Sequence, residues 1–263
     1  TFDTALMRRV AGAAAAEARS RGIRDVLSPV INIADDVRWG RVEETYGEDP
    51  TLASEMARAF VGGTEFAGVV TTPKHFIANS GDGGRDSYPV FHNERLLMER
   101  YFPPFVAALD AGARSIMTAY NSVDGAPATQ NPWLLNTVLK RDLRFGGFVI
   151  SDAAATGGAT VLHMTEPNTP AAAAHAFRSG LDVVFQSSYA QYRPYFSALQ
   201  QGLVPIDVID AAVFRVLRVK FELGLFEHPY VDVAAAATTN GAADHVSLAR
   251  AVRGGGCGDI DVG

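Results

Sequence analysis

The chain has 263 residues and a formal net charge of −6, which argues against the basic surface that nucleic-acid-binding proteins present to phosphates. Hydrophobic residues make up 48% and charged residues 20%, the balance of a folded globular domain rather than a disordered segment. No apolar run reaches the roughly 18 residues that a membrane-spanning helix needs. The single cysteine, Cys257, excludes an internal disulfide and a multi-cysteine metal site. We therefore expect neither nucleic acid nor a membrane as a partner, and the compartment stays open between secreted or periplasmic and cytoplasmic.

Five apolar, β-branched runs predict strands along the chain, at residues 26–33, 69–76, 115–120, 147–152 and 182–185. None shows the strict polar alternation of a strand with one exposed face, so we expect strands that are buried on both faces. Strands of this kind are typical of parallel sheets.

Helix-forming stretches separate these strands, at residues 5–21, 50–62, 93–111, 132–143, 170–179 and 205–223. Asp3 and Asp49 stand where N-caps are expected, and Gly62–Gly63 is predicted to end the second helix. Pro103–Pro104 predicts a kink or a break in the third. In the last helix we expect the buried face at Ile206, Ile209, Val213, Val216 and Phe221, which recur at near-helical spacing.

Alternating strands and helices predict an α/β fold with a parallel sheet, either an open doubly wound sheet or most of a (β/α) barrel. The length suits one barrel of roughly 250 residues without room for a second full domain. No Gly-x-Gly-x-x-Gly follows the first strand and no Walker motif occurs, which disfavours a nucleotide-binding sheet. Residues 234–241 are predicted to be a linker. A start without Met and a Gly-rich end predict that the sequence is a piece of a longer protein.

Polar side chains stand at the predicted strand ends, where the active sites of barrels lie. The pairs Lys74–His75, Tyr120–Asn121 and Ser151–Asp152 each end a strand, and the segment after the first strand adds Asp35, Asp36, Arg38, Trp39 and Arg41. Charged side chains can hydrogen-bond the hydroxyl groups of a sugar, and aromatic side chains can stack on its apolar face. We therefore predict a sugar site at this mouth.

Each of these residues also has a simpler interpretation. Asp152 is a possible helix cap, and the pair Lys74–His75 is a possible structural pair. A desolvated Lys74 also suits Schiff-base chemistry. Possible surface residues are Trp39 and Arg41, and a solvated, helix-capping acidic cluster is formed by Glu43, Glu44, Glu48 and Asp49. No metal site is predicted, because the spacing of His163, His175 and His245 is not that of metal ligands.

Six segments, in order, resemble glycoside hydrolase family 3: RWGRVEETYGEDP (38–50), KHF (74–76), ERLLMERYFPPF (94–105), IMTAYNSVDGAPATQNPWLL (116–135), GFVISD (147–152) and RVLRVKFELGLFEHPYVD (215–232). The resemblance covers residues 26–232. It implies a (β/α)8 TIM-like barrel, incomplete at its N-terminal end, as a catalytic domain at residues 1–232. Residues 233–263 would then be a linker and tail towards an absent second domain.

The resemblance also implies roles for individual residues. Asp152 matches the nucleophile, which forms a covalent glycosyl-enzyme. The sugar ligands are matched by Arg41, Lys74 and His75. Tyr120 matches the tyrosine beside the nucleophile, and Met117, on the same strand, is expected to line the pocket. We expect Lys74 and Arg41 to lower the pKa of Asp152. No metal or organic cofactor is implied.

The implied activity is retaining hydrolysis of terminal β-glycosides, with a β-linked oligosaccharide or glycoside as substrate. A retaining enzyme needs a second carboxyl group about 5 to 5.5 Å from the nucleophile, and we expect it from the absent domain. The loop after the Lys–His strand carries Asp86 followed by Ser87 and Tyr88. It thus lacks the Asp–His dyad of the β-N-acetylglucosaminidase branch, which favours a β-glucosidase.

The alternatives are a β-xylosidase or another exo-glycosidase and, from a different class, a non-catalytic sugar-binding barrel. Ala153 stands where many family members have Trp directly after the nucleophile, so a wall of the predicted pocket is missing. Substrate preference beyond the first sugar stays open.

Overall fold

The computed structural model describes residues 2–185 and 193–256. The described helices are α1 (Thr4–Ser20), α2 (Pro50–Phe66), α3 (Glu94–Leu96), α4 (Pro103–Asp110), α5 (Ala155–Val161), α6 (Thr169–Arg178), α7 (Pro194–Gln200), α8 (Ile206–Glu222), α9 (Val233–Thr239) and α10 (Ala243–Gly256). Two π-helical segments, Leu97–Tyr101 and Trp133–Asp142, add to them. The strands are β1 (Asp25–Val26), β2 (Val70–Thr71), β3 (Ser115–Met117), β4 (Ser122–Val123), β5 (Ala126–Pro127) and β6 (Phe148–Ile150).

Five strand positions lie side by side in chain order, and all of them are parallel. β1 pairs with β2 and β3 pairs with β6. Single bridges complete the order, from Phe76 to Thr118 and from Ile150 to Val183. The predicted α/β class and the parallel order are therefore confirmed, and the arrangement is that of a (β/α) barrel. Closure into eight strands stays a prediction.

Both faces of this parallel sheet are covered by apolar side chains. Ile116 packs in one buried cluster with Phe76 and Phe105, whereas its neighbour Met117 packs in a second cluster with Phe148. Successive residues of a strand point to opposite faces, so the two clusters are the two sides of the sheet. This explains why the strand sequences are continuously apolar rather than alternating.

The predicted end of α2 at Gly62–Gly63 is wrong, because the helix continues to Phe66. A Cβ on Gly63 would stand 2.3 Å from the backbone oxygen of Arg8 in α1. The glycine therefore permits two helices to approach closely, and it does not act as a stop. The predicted caps are confirmed, since Asp3 accepts a hydrogen bond from Leu6 N and Asp49 accepts one from Thr51 N.

The predicted break in the third helix is confirmed, since α4 begins at Pro103. The bounds of α8 also agree with the prediction, and Gly224, at φ 64°, follows its end. The buried face of α8 differs, however. Ala212 and Val219 are buried, whereas Ile206 and Phe221 are more than half exposed. The spacing of apolar residues predicts a helix, but it does not show which of those residues other elements bury.

Residues 234–241, predicted to be a linker, form all but the first residue of α9 and part of the turn into α10. Both helices contact α1. Gly241 N donates to Glu17 Oε1, and His245 Nδ1 lies 2.7 Å from the same oxygen. The domain boundary at residue 232 stays a prediction.

A short antiparallel hairpin of β4 and β5 was not predicted. Its turn residues, Asp124 and Gly125, both have positive φ, as a type I′ turn requires. The Asp–Gly pair was the available signal in the sequence. Among the residues that the structure describes, no helix combines the length and the apolar character needed to cross a membrane.

Candidate active site

Asp152 follows β6 at the carboxyl end of the strand and is 8% exposed. Ala153 N donates a hydrogen bond to its Oδ1 at 2.7 Å. Its Oδ2 is buried and accepts no hydrogen bond from the described residues; His75 Nε2 is 3.4 Å away. One carboxylate oxygen is thus held by the backbone, while the other is left available for chemistry. The position confirms that a strand ends here and does not by itself test the role of Asp152.

The pKa of Asp152 is raised above its ordinary value, and burial is the largest cause. The Ala153 N–H, the Tyr120 hydroxyl and the charges of Arg41 and Lys74 act in the opposite direction. The expectation that the two cations set the pKa is therefore corrected. They lower it as expected, but the loss of water around the carboxylate outweighs them.

His75 is 1% exposed, and its ring lies between Asp152 and two amide side chains. Its Nδ1 is 2.9 Å from Asn32 Oδ1 and 3.1 Å from Asn79 Nδ2. Burial lowers the pKa of His75 well below its ordinary value, and the charges of Arg41 and Lys74 add to this. The ring is therefore neutral and presents Nε2 to Asp152.

Three buried asparagines connect the strand ends. Asn32 bonds both backbone groups of His75, through His75 N and His75 O. Asn121 accepts from Asn79 N and donates to Ile77 O. The sequence reasoning missed Asn32 and Asn79, although each lies at a strand end. Amides at such positions satisfy the backbone groups that the irregular strand ends leave unpaired.

Lys74 is partly buried beside Asp152. Burial lowers its pKa, and the Asp152 carboxylate acts in the opposite direction. The nearby Arg41 guanidinium lowers it further, and Glu44 raises it. Lys74 and Asp152 thus lie close enough to influence each other's charge, as the prediction of one common site requires.

Arg41 is held by two carboxylates. Its Nε and Nη2 donate to Glu44 at 2.7 and 2.8 Å, and its Nη1 lies 3.4 Å from Asp86 Oδ2. Asp86 also accepts a hydrogen bond from the Trp39 indole N–H, and Trp39 is 2% exposed. The surface interpretation of Trp39 and Arg41 is therefore wrong. Glu44 is 39% exposed, as the solvated interpretation predicted, and its hydrogen bonds raise the pKa of Arg41.

Tyr120 lies at the end of the neighbouring strand, with its hydroxyl against the Asp152 carboxylate. Burial raises the pKa of Tyr120, and the negative charge of Asp152 adds to this. His163 Nε2 lies 2.8 Å from Tyr120 O. Met117, three residues earlier, is 1% exposed inside the cluster with Phe148, and its predicted pocket-lining role stays a prediction.

The other acidic residues of the first segment have partners of their own. Asp35 accepts from Arg100 and Tyr101, and Asp36 accepts from Arg38. Across residues 2–185 and 193–256, no group of three or more His, Cys, Asp or Glu side chains is arranged to hold a metal ion.

The geometry thus joins the predicted residues Arg41, Lys74, His75 and Tyr120 around Asp152. Residues 1–219 match the family model described as the Glycosyl hydrolase family 3 N terminal domain. The chain belongs to glycoside hydrolase family 3.

Curated family 3 relatives include two enzymes with different names. The Periplasmic beta-glucosidase of Salmonella typhimurium is 34% identical over 238 residues, which cover 88% of this chain and 31% of the relative. A Beta-xylosidase of Formosa agariphila is 34% identical over 248 residues, which cover 86% of this chain and 34% of the relative. The chain thus spans about a third of the length of these relatives.

Solved family 3 structures superpose closely on this chain. A β-glucosidase from Erythrobacter marinus gives a TM-score of 0.90 at 34% identity, over 94% of this chain and 34% of that one. The β-glucosidase of Listeria innocua in complex with gluconolactone gives a TM-score of 0.88 at 33% identity, over 95% and 36%. The fold of this family 3 domain is therefore that of the matching part of those enzymes.

Proposed function

We propose that this family 3 domain carries the sugar pocket and the nucleophile of a retaining, exo-acting β-glucosidase that releases terminal β-D-glucosyl residues. The observation that carries the proposal is the surroundings of Asp152. Its buried Oδ2 accepts no hydrogen bond from the described part of the chain, while Ala153 N holds the other oxygen. A nucleophile needs such an arrangement, with one fixed oxygen and one free to attack.

In the first step, Asp152 Oδ2 attacks the anomeric carbon of the sugar. The new ester bond forms as the bond to the leaving-group oxygen breaks, and that oxygen takes a proton from a general acid. Water then attacks the same carbon and gives a proton to the group that acted as the acid, while the ester bond breaks and Asp152 is regenerated as a carboxylate. The glycosyl-enzyme has the opposite anomeric configuration, so two inversions give net retention.

Lys74, His75 and Arg41 are proposed to bind the sugar hydroxyls. Lys74 and Arg41 supply charged donors, and the neutral His75 has one ring nitrogen turned towards the nucleophile. Hydrogen bonds that strengthen as positive charge develops on the sugar ring accelerate the reaction rather than only tighten binding. Tyr120 is proposed to hold the carboxylate in its attacking orientation.

The acid/base is proposed to come from a part of the protein outside this chain. Within the site, Asp86 is engaged by the Trp39 indole and the Arg41 guanidinium, and Glu44 is engaged by Arg41. Both carboxylates are thus committed to positioning a cation. We also propose that the five parallel strand positions belong to an eight-stranded barrel.

A β-xylosidase is the second candidate, because the two curated relatives described above are equally similar to this chain and carry the two different names. A sugar-binding barrel without turnover is the third. The three candidates differ in which sugar, if any, becomes attached to Asp152.

The test is the intact mass of the protein after incubation with a dinitrophenyl 2-deoxy-2-fluoro-β-D-glucoside. Dinitrophenolate departs without a general acid, so the reaction reports on the nucleophile alone. We expect one added fluoroglucosyl mass on the peptide that contains Asp152. Asp152→Ala should show no adduct, whereas Asp36→Ala, which removes a partly exposed carboxylate paired with Arg38, should label like the wild type. Faster labelling by the corresponding xyloside would favour the β-xylosidase, and binding without an adduct from either reagent would favour the sugar-binding barrel.

A further inference from the structure

His163 lies close to the proposed site and takes no part in the hydrolytic steps above. Its Nε2 is 2.8 Å from the backbone oxygen of Tyr120. A carbonyl oxygen only accepts hydrogen bonds, so Nε2 is the donor and carries the proton. His163 therefore holds the main chain of a residue whose hydroxyl contacts Asp152.

The carbonyl group of Tyr120 lies beyond the end of β3, where the chain bends towards β4. Among the described residues, no backbone N–H group donates to this oxygen. The backbone nitrogen of Tyr120 is 3.5 Å from Asn79 Oδ1, which is longer than an ordinary N–H···O hydrogen bond. The contact with His163 is thus the shorter of these two contacts that side chains make with the main chain of Tyr120. Its loss leaves a carbonyl group unpaired at the bend.

The segment from Asp152 to His163 contacts Tyr120 at both of its ends. It starts at the proposed nucleophile, whose carboxylate faces the Tyr120 hydroxyl. It then passes through α5 and ends with the ring of His163 against Tyr120 O. A tyrosine side chain has few rotatable bonds, so the position of its hydroxyl follows that of its main chain. A main chain that moves at Tyr120 therefore moves the hydroxyl relative to Asp152.

The turn that carries His163 is itself held in place. His163 N donates to Gly158 O at 3.0 Å, and Thr165 N donates to Ala159 O at 2.9 Å. Met164, between them, has a φ of 54°, in the left-handed region that few residues other than glycine adopt. The backbone on both sides of the ring is thus bonded to α5, and the ring is presented to the carbonyl from a fixed position.

The burial of this turn is the reverse of what polarity alone predicts. Leu162 and Met164 are 57% and 76% exposed, whereas His163, between them, is partly buried. Apolar side chains are ordinarily the ones turned inward. The turn exposes two apolar side chains and places the polar ring inward, where it gains the hydrogen bond to the carbonyl.

We propose that His163 is a positioning residue for the reaction at Asp152: by holding the main chain of Tyr120, it keeps the tyrosine hydroxyl against the nucleophile. The proposal rests on the proposed function, because it needs Asp152 to react with the sugar. It assigns a role to a side chain that lies outside the steps of the reaction, and it leaves the bonds and proton transfers of those steps unchanged.

The test measures how fast the dinitrophenyl 2-deoxy-2-fluoro-β-D-glucoside labels Asp152, followed as the release of dinitrophenolate between pH 5 and pH 7. Labelling needs an ionised nucleophile and no general acid. The Tyr120 hydroxyl lowers the pKa of Asp152, so the loss of this contact slows labelling most at acidic pH. The other groups that face Asp152, namely His75, Lys74 and Arg41, are the same in every variant.

The variants separate the hydrogen bond from the other properties of the side chain. His163→Leu removes the donor and keeps much of the volume. His163→Asn is polar but too short to reach the carbonyl, and it is the second loss variant if leucine prevents folding. His163→Gln places an amide N–H near the position of Nε2 and has no ionisable group. Thr165→Val is the matched control, because it removes a hydroxyl that lies 3.3 Å from Ala159 O in the same turn and leaves the contact with Tyr120 intact.

We expect His163→Leu and His163→Asn to slow labelling at pH 5 by about two- to tenfold, the range that the loss of one hydrogen bond covers, with a smaller effect at pH 7. His163→Gln and Thr165→Val should follow the wild type. In a Tyr120→Phe background, His163→Leu should cause no further shift of the acidic limb, because the hydroxyl through which it acts is already absent.

The positioning role of His163 would be overturned by a leucine variant that labels like the wild type, or by an equal loss of rate at both pH values. It would also be overturned by a glutamine or Thr165→Val variant as impaired as the leucine variant, or by a further shift of the acidic limb in the double variant. In contrast, a wild-type protein that takes up no label would overturn the proposed function itself.

Discussion

His75 Nε2 lies 3.4 Å from Asp152 Oδ2, and both side chains are nearly inaccessible to solvent. Burial keeps His75 neutral at ordinary pH and at the same time raises the pKa of Asp152. The pair is therefore a neutral ring beside a carboxylate rather than a salt bridge. Lys74 and Arg41, not His75, supply the positive charge that lowers the pKa of Asp152 against the effect of burial.

Asp152→Asn is expected to lower kcat by roughly 10⁶-fold, as the loss of a nucleophile does in other enzymes. It should not destabilise the fold. The pKa of folded Asp152 lies above the ordinary 3.8, so its contribution to stability is fully present below that value and is lost as the pH rises through the folded pKa. At pH 7 the ionised group lowers the free energy of unfolding, and asparagine removes this effect.

The measurements for this variant are turnover and the unfolding midpoint at pH 4 and pH 7. We expect the variant to unfold at an equal or higher temperature than the wild type at pH 7, with a smaller difference at pH 4. A variant that retains full activity would contradict the assignment of Asp152 as nucleophile.

Tyr120→Phe is expected to move the acidic limb of the kcat/KM profile to higher pH. The tyrosine hydroxyl lowers the pKa of Asp152, so its removal raises that pKa. Activity should therefore fall more at pH 5 than at pH 7. Tyr230→Phe, at a residue that is 90% exposed, is the control and should leave the profile unchanged. An acidic limb that does not move in Tyr120→Phe would argue against the contact.

Asp86→Ala is expected to cost about 1–3 kcal/mol of stability, because it leaves the buried indole N–H of Trp39 without its acceptor. It also frees one side of Arg41, so KM should rise more than kcat falls. Asp86→Asn keeps an acceptor oxygen for Trp39 but removes the charge near Arg41. It should therefore retain most of the stability while showing the same increase in KM. Chemical denaturation and steady-state kinetics of the two variants separate these effects, and equal stability losses would argue against the Trp39 contact.

Gly63→Ala and Gly157→Ala place the same methyl group in two helices and are expected to have opposite effects. At residue 63 the new Cβ would meet Arg8 O at 2.3 Å, and overpacking of this kind costs about 1–3 kcal/mol. At residue 157 it meets nothing within 4 Å, and alanine is favoured over glycine in a helix by about 0.5–1 kcal/mol. Thermal unfolding of the two variants is the measurement. A destabilised Gly157→Ala would show that the space beside α5 is occupied.

The sequence by itself determined the class of the fold and the ends of the strands that carry the site. Continuous apolar runs followed by Lys74–His75, Tyr120 and Asp152 require strands that are buried on both faces and that end in polar groups. Parallel strands bring such ends together at one edge. The helix caps Asp3 and Asp49 could also be predicted from the sequence, because a cap depends on residues two or three positions along the chain.

Only the tertiary structure decided how these groups act on one another. Gly63 looked like a helix stop until α1 was placed against it, and Trp39 looked like a surface residue until its indole was found buried against Asp86. The pKa of Asp152 moved upwards, against the expectation from its neighbouring cations, because burial is a property of the packed strand ends and not of any one segment. Packing contacts and pKa shifts depend on the distances between residues that are far apart in the chain and on the exclusion of water between them. No local pattern in the sequence encodes these distances.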